Sequence, residues 1–411
     1  MKILVFSHFF PPEIGAAPMR IADHAYRWVR AGHSVTVITN IPNSPFGKFY
    51  KGYKNRICLN GNYRGINIRR ILTFPSGKKK TKFHRGGSFA VNTLGSIIAG
   101  MIEPKPDIIL ASAPYLSGIP GMLSAIWHDV PLVYELRDPW VQVAATTETV
   151  KKRSLQHKLL ETLDRKIVDY AEELVVIGEE MATYLEKEMM LTKKPFVVHN
   201  AIDTEKNNVD RKKRINLTAA QGCFVIGSIG NMGNQYDFDV ILDAASELSG
   251  ESYYFLFLGE GKQLRNIKHK VEKLKLKNIG FYPPVPSSEV DNWFKACDVT
   301  VVSMKHDPVF KVYLPLKVLG SMNVKIPVLF GGHGETESIL QESGAGRCFA
   351  PGDSKALVGL LKHYNQKRNV LQTEGTLGAK FIKNKFNRTV MASKYLNLFK
   401  TIVSGKRKST Y

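Results

Sequence analysis

The sequence has few cysteines, and their spacing excludes the sites that cysteine pairs build. Only four occur in 411 residues, and no two are arranged as C-x-x-C. The sequence therefore predicts neither a zinc site nor a disulfide framework. Cys223 and Cys297 border apolar runs and are expected to be core residues. This usage fits the reducing cytoplasm.

Long hydrophobic runs are also lacking. The longest apolar candidate, Phe89 to Ile102, is shorter and more polar than the roughly 20 apolar residues that a membrane-spanning helix needs. We interpret it as a core helix, with in-plane membrane contact as the alternative. Met1 leads directly into a strand-like run, so no signal peptide is expected.

Acidic residues are in deficit. Asp and Glu number 36 against 58 Lys and Arg, which gives a formal net charge of +22 and predicts an anionic partner. The densest basic segment is either a solvated loop or a contact for anionic lipid or a diphosphate-linked acceptor. Nucleic acid is less favoured, because no aromatic platform accompanies the segment. Its cations are Lys78, Lys79, Lys80, Lys82 and Arg85.

What the chain does have is a regular alternation of strand and helix patterns. Such alternation predicts parallel sheets, and a length of 411 residues suits two α/β domains. The pattern restarts near Cys223, after a polar segment at 201–221 that we interpret as a linker. We therefore predict a first domain at 1–200, a second at 201–380, and at 381–411 a helix packing back toward the first domain, followed by a basic tail. A ligand cleft is expected between the two domains.

Small residues follow the first strand of each predicted domain. Gly15 and Ala16 follow Lys2–Phe6, while Gly230 and Asn231 lie in a G-x-x-G-x-x-G segment. Ligands of open α/β sheets bind at the carboxyl ends of the strands, and loop N–H groups with a helix N-terminus favour phosphate. The second segment lacks the G-x-G-x-x-G dinucleotide fingerprint, so an ordinary strand-to-helix turn is the alternative.

Other predicted strand ends carry polar groups. Gly259 and Glu260 end the strand FLFLGEG, with Arg265 within reach of a phosphate. A helix beginning near Pro315 would place Lys317 in a phosphate cradle. Glu335 would hydrogen-bond a sugar hydroxyl or merely begin a helix.

The segment LVYELRDPW ends a buried strand with charged residues. Arg137 and Asp138 are costly there unless paired or functional, and they could simply pair with each other. Trp140 adds a face for sugar stacking.

Asp237 and Asp239 have the D-x-D spacing that binds a divalent cation in some transferases. Both begin an apolar helix, where acidic residues are favoured by the helix dipole. We expect no metal here and no cofactor elsewhere.

Taken in order, these segments resemble glycosyltransferase family 4, whose fold is the GT-B fold of two Rossmann-like domains. The resemblance rests on HFFPPEIGAAPMRIADHAYRWVRAGHSVTVIT, PDIILASAP, VYELRDPW, VVIGEEMATYL, VVHNAID, FLGEGKQL, NIGFYPPVPSSEV and AGRCFAPGD. It covers nearly the whole chain. Within the family, the chain is most similar to fucosamine-transferase-like enzymes of O-antigen and capsule assembly.

The resemblance implies retaining, metal-independent transfer of a sugar from a nucleoside diphosphate, with UDP expected. The first domain would bind the acceptor and the second the donor. The implied catalytic residues are Arg137 and Asp138, with a donor site at Gly15, Ala16, Gly230, Asn231, Gly259, Glu260, Arg265, Lys305, Leu316, Lys317, Val318 and Glu335.

The chain departs from the family pattern at two carboxylates. The positions that usually hold glutamate align with Val312 and Gly320. Asn231 stands where many members carry arginine, so Lys305, Lys311, Lys317 and Arg265 are candidate replacement cations.

Three hypotheses follow from these patterns. The first is a transferase acting on a polyprenyl-diphosphate-linked saccharide at the cytoplasmic face of the inner membrane. The second is a GT-B binding protein with a degenerate donor site, such as a partner subunit of another transferase. The third, a nucleic-acid-binding protein, is disfavoured by the ordered transferase motifs.

Overall fold

A computed structural model divides the chain into two compact units, each built on one sheet. Unit 1 comprises residues 1–200 together with the segment that begins at Arg388, and unit 2 comprises Ala201–Asn387. The structure describes residues 1–44, 47–74, 82–112, 115–139, 141, 154–204, 215 and 217–409.

Unit 1 contains an eight-stranded sheet in the order β3-β4-β2-β1-β5-β6-β7-β8. All neighbouring strands pair in parallel except β3 and β4, which form an antiparallel hairpin. The strands are β1 Lys2–Ser7, β2 Ser34–Asn40, β3 Cys58–Tyr63, β4 Ile66–Ile71, β5 Ile108–Ser112, β6 Leu132–Leu136, β7 Glu173–Val176 and β8 Phe196–Val197.

The helices of unit 1 cover its sheet. Helix α1 packs against α13, and α3 packs against both α2 and α4. Trp28 of α1 is fully buried and donates its indole N–H to Ala392 O of α13 at 3.0 Å. The helices are α1 Ala16–Arg30, α2 Lys82–Ile102, α3 Tyr115–His128, α4 Leu155–Tyr170, α5 Glu179–Glu188 and α13 Arg388–Ser409.

Unit 2 contains a six-stranded, fully parallel sheet in the order β11-β10-β9-β12-β13-β14. Its central strands are buried along their whole length, as expected when helices cover both faces. The strands are β9 Phe224–Ile229, β10 Tyr253–Leu258, β11 Ile279–Tyr282, β12 Val299–Ser303, β13 Val328–Gly331 and β14 Gly346–Phe349.

The described residues of unit 2 form seven α-helices, with short 3-10 turns at Thr218–Ala220 and Pro308–Val312. Gly320, on α9, faces a core aromatic: a Cβ there would lie 3.0 Å from Phe294. The helices are α6 Asp239–Glu247, α7 Leu264–Lys273, α8 Val290–Lys295, α9 Leu316–Asn323, α10 Glu335–Ser343, α11 Ser354–Gln366 and α12 Arg368–Lys385.

Strand order reverses once in each sheet, between β1 and β5 and between β9 and β12. The crevice outside the carboxyl ends of the strands at such a reversal is the usual ligand site of an open α/β sheet. None of the helices within the described residues is long and apolar enough to cross a membrane.

Candidate active site

In unit 2, the loops after β9 and β10 touch through backbone atoms. The N–H of Gly230 donates to Leu258 O at 2.7 Å, and the N–H of Met232 donates to Glu260 O at 2.8 Å. Gly259 adopts φ +135°, and a Cβ on it would lie 2.1 Å from Gly230 O. Only glycine permits this approach, so the predicted glycines do meet at one point of the sheet edge.

The same loop is also tied to the strand on its other side. The N–H of Asp237 donates to Ser303 O at 2.9 Å, and the N–H of Lys305 donates to Gln235 O at 3.0 Å. The amide of Gln263 donates to Gly233 O and to Tyr236 O, at 2.8 and 2.9 Å. Residues 230–238 are thus held in one conformation at the β9–β12 reversal.

Lys317 is the cation that reaches this loop. It lies in the first turn of α9, and its Nζ donates to Asn231 O at 3.2 Å and stands 4.0 Å from the centre of the Tyr236 ring. Among the described residues, no carboxylate forms an ion pair with it. Desolvation lowers the pKa of Lys317 from 10.5 to about 7. An ammonium group that has no ion-pair partner in the described part of the chain, at a helix N-terminus beside a glycine loop, is suited to an anion.

Glu335 is buried at the start of α10. Gly334, the residue before it, has φ +88°, and a Cβ there would lie 2.2 Å from Lys311 O. Thr336 donates its hydroxyl to Tyr313 O at 2.7 Å. These contacts bind the beginning of α10 to the segment between β12 and α9.

The remaining predicted donor residues occupy different settings. Val318 is fully buried in the unit 2 core, so only its backbone is available to a ligand, and Leu316 is half-buried. Lys305 and Arg265 are exposed, and Arg265 lines an open groove with Glu260. Tyr236, which the sequence did not single out, is the aromatic neighbour of Lys317.

The D-x-D pair forms local contacts. Asp237 accepts from the N–H of Asp239 at 3.1 Å, and Asp239 pairs with Lys270 at 2.6 Å. Within the described residues, no group of three or more His, Cys, Asp or Glu side chains is arranged to hold a metal ion.

In unit 1, the end of β6 is fixed by a buried carboxylate, Glu135. Arg20 donates to it at 2.9 Å, Ser112 donates at 2.6 Å, and Tyr395 of α13 also donates to it. Burial alone would raise the pKa of Glu135, but Arg20, Arg137 and these hydrogen bonds lower it to about 2. The carboxylate is therefore ionised at neutral pH and holds the strand that leads to Arg137.

Arg137 and Asp138 follow β6 directly, at the carboxyl edge of the unit 1 sheet. Arg137 is half-buried and Asp138 is exposed. Trp140 and the cations Lys78, Lys79 and Lys80 lie outside the described residues. Lys82 and Arg85 lie near the beginning of α2, where only the backbone is described.

The first loop of unit 1 is shaped by Glu13, which is buried. Its carboxylate accepts from the N–H groups of Phe10, Asn43 and Ser44, at 3.3, 3.0 and 2.9 Å. Gly15 ends the loop with φ +145° and serves as the N-cap of α1. The sequence indicated the Gly15-Ala16 loop but gave no sign of the residue that anchors it.

Models of known protein families match the sequences of both units. The family model described as Glycosyltransferase Family 4 matches residues 18–206, and the model described as Glycosyl transferases group 1 matches residues 209–378. A probable glycosyltransferase, WbjE of Pseudomonas aeruginosa, is 27% identical over 337 residues, covering 80% of this chain and 78% of that protein. A putative colanic acid biosynthesis glycosyl transferase, WcaI of Escherichia coli K12, is 25% identical over 305 residues, covering 69% and 72%.

A solved structure shows the same fold. HepE of Anabaena, crystallised in complex with UDP-glucose, superimposes with a TM-score of 0.73 at 13% identity, covering 98% of this chain and all of HepE. The expectation of a GT-B fold is confirmed. The chain belongs to the glycosyltransferases, with a family 4 domain followed by a group 1 domain.

Proposed function

We propose that this glycosyltransferase moves a hexosyl or N-acetylaminosugar group from a UDP-sugar to a lipid-linked saccharide, with retention of anomeric configuration. The observation that carries the donor part is Lys317, an ammonium group without an ion-pair partner in the described residues, beside the Gly230 loop. HepE, whose fold is the same, was crystallised with UDP-glucose. The retaining outcome is the one that the family 4 resemblance implies.

In the proposed reaction, an acceptor hydroxyl oxygen forms a bond to the anomeric carbon while the bond from that carbon to the diphosphate breaks, and the hydroxyl proton passes to the leaving diphosphate. Negative charge grows on the leaving diphosphate. Lys317 and the backbone N–H groups at 230–233 would stabilise it, as preorganised donors do at developing charge. Asp138 is proposed to hold the acceptor hydroxyl, and Arg137 to position Asp138.

The test is binding and turnover with a panel of UDP-, GDP- and TDP-sugars. Lys317→Ala should weaken UDP binding at pH 7 about fiftyfold or more, while Lys277→Ala, which removes an exposed lysine on the same unit, should not change it. Product anomers assigned by proton NMR decide between retention and inversion. No binding and no turnover with any sugar nucleotide would refute the proposal.

The absence of both family carboxylates favours a second candidate, a binding subunit without turnover. Val312 is buried, and Gly320 faces Phe294, so neither position offers a hydrogen bond to a ribose. Nucleotide binding without hydrolysis or transfer, for every donor tested, would support this candidate over the enzyme.

A further inference from the structure

Helix α2 has its polar side chains inside and its apolar side chains outside. From Ala90 to Ile102 every exposed residue is apolar, and the large ones are Val91, Leu94, Ile98 and Ile102, with exposed fractions of 37, 59, 60 and 76%. At 100° per residue these four share one stripe. Asn92, Thr93 and Ser96 face inward and are buried. A helix on the surface of a water-soluble protein normally has the opposite arrangement.

Helix α3, which packs along α2, has the same arrangement. Ile126 and Trp127 are 53 and 65% exposed, and Ile119, Met122 and Leu123 are half-buried on the same side. Its buried positions are small or polar, such as Ser117, Gly121 and Ser124. The two helices approach closely at Gly100, where a Cβ would lie 2.2 Å from Ser124 Oγ. Small residues at the helix contact and large apolar residues outside are typical of helices packed in lipid.

The exposed apolar area of the six side chains is on the order of 600 Å², at the upper end of the largest patch on an ordinary monomer. We name this surface, formed by Val91, Leu94, Ile98, Ile102, Ile126 and Trp127, the α2–α3 face. A patch of this size is often an interaction site.

Charge indicates which partner. Neither α2 nor α3 contains Asp or Glu, whereas α2 begins with Lys82, His84 and Arg85 and is preceded in the sequence by Lys78, Lys79 and Lys80. Each such cation near an anionic bilayer strengthens binding by about fivefold. An apolar helix face with cations at one end is suited to lying in the interface of an anionic membrane.

We propose that the α2–α3 face inserts into the headgroup and acyl boundary of an anionic lipid bilayer, with both helices in the plane of the membrane. The inference deepens the proposed function, because it supplies a surface for the bilayer that would contain a lipid-linked acceptor. Only the link to a lipid-linked acceptor rests on the proposed function, because binding of the chain to lipid is measured without any sugar nucleotide. Asp129, exposed next to the end of α3, would remain on the aqueous side.

The experiment is co-flotation of the full chain with vesicles of phosphatidylcholine alone or mixed with phosphatidylglycerol. We expect binding to the mixed vesicles, with at least a tenfold lower partition coefficient for Leu94→Ser/Ile98→Ser. The matched control is Leu274→Ser/Leu377→Ser, which removes two exposed leucines of unit 2 and should bind like the wild type. Lys82→Gln/Arg85→Gln should weaken binding to the mixed vesicles and reduce its dependence on salt.

Trp127 reports the depth of insertion. Brominated lipid should quench the tryptophan emission of the bound wild type, and Trp127→Phe should lose most of that quenching while still floating. Donor hydrolysis by Leu94→Ser/Ile98→Ser should equal that of the wild type, so a failed vesicle test is distinct from a failed transferase.

Absence of wild-type binding to mixed vesicles would overturn the proposal. An equal loss of vesicle binding in Leu94→Ser/Ile98→Ser and in the control Leu274→Ser/Leu377→Ser would also overturn it. A wild-type dimer that Leu94→Ser/Ile98→Ser converts to a monomer would assign the face to a second copy of the chain instead.

Discussion

Raising the pH from 7 to 9 should weaken the binding of UDP to this chain, because Lys317 loses its proton over that range. Desolvation lowers the pKa of Lys317 to about 7, so about half of the free protein carries the charge at pH 7. The charged fraction then falls to about 0.09 at pH 8 and about 0.01 at pH 9, since one pH unit changes the protonation equilibrium by a factor of ten. The secondary ionisation of a phosphate, near pH 6, is about nine-tenths complete at pH 7 and so changes little over this range.

The expected loss of UDP affinity is about fiftyfold between pH 7 and pH 9, if the contact requires the ammonium form. Binding should then take up nearly one proton at pH 8, because the diphosphate restores the charge. Isothermal titration calorimetry in two buffers of different ionisation enthalpy, at constant ionic strength, measures both quantities. The apo chain should also become more stable as the pH rises above 7, because the unfolded chain, with a lysine pKa of 10.5, binds the extra proton there.

Lys317→Arg is the control that isolates the charge. Arginine keeps its proton throughout this range, so UDP affinity should become nearly independent of pH between 7 and 9. Lys317→Ala should bind weakly and with the same flat profile. A wild-type affinity that does not change with pH, or an equal slope in Lys317→Ala, would show that Lys317 does not contact the diphosphate.

Three further substitutions test other parts of the site. Asp138→Ala should reduce turnover by roughly 10²-fold or more while UDP affinity, measured by calorimetry, stays within about twofold; loss of UDP binding would move Asp138 to the nucleotide site. Gly259→Ala should lower the free energy of unfolding by about 1–3 kcal/mol in a denaturant titration, because its Cβ would lie 2.1 Å from Gly230 O, and an unchanged midpoint would contradict the tight loop contact. Gly320→Glu restores a family carboxylate. It should lower the free energy of unfolding by a similar amount without raising UDP affinity, since Phe294 occupies the space beside Gly320. A gain in UDP affinity would show that the donor site retains the family arrangement.

The regular elements could be predicted from the sequence where burial imposes a pattern. The buried strands of both sheets are short apolar runs, and the predicted parallel order follows from their alternation with helices. Strand β3 was missed because Cys58–Tyr63 has no apolar run and is largely exposed. It forms only as the edge partner of β4 across a turn in which Arg64 and Gly65 have positive φ. Strand β14 is short and mostly half-buried, so it too lacked a signal.

The candidate site could be predicted only where it lies at the carboxyl ends of the parallel strands, the usual ligand site of an open α/β sheet. The sequence predicted that Gly230, Gly259 and Lys317 lie together because loops at the carboxyl ends of parallel strands share one sheet edge, and the structure brings the three together. Tyr236 had no such signal, because its contact with Lys317 depends on how the loop turns back toward β12. Glu135 was visible as a charge in a buried strand, but its hydrogen bond from Tyr395 joins residues far apart in the chain.

Helix α2 shows how composition misleads without orientation. Its apolar content predicted a core helix, and a helix does form there. The inward positions are Asn92, Thr93 and Ser96, however, and Asn92 is hydrogen-bonded to Asn40. The apolar side chains lie outside, so the core interpretation is wrong for that face. A tally of hydrophobic residues cannot distinguish the two arrangements.

The contribution of α13 to unit 1 sets an order for folding during synthesis. The ribosome makes residues 1–200 first, yet the indole N–H of Trp28 donates to Ala392 O, and Glu135 accepts one of its hydrogen bonds from Tyr395, both in α13. Unit 2, which is continuous, is completed before those partners emerge. We expect residues 1–200 to remain incompletely folded, and accessible to chaperones and proteases, until α13 has been synthesised. Unit 2 would fold before them. Premature termination anywhere before α13 would then damage the half of the protein that was synthesised first.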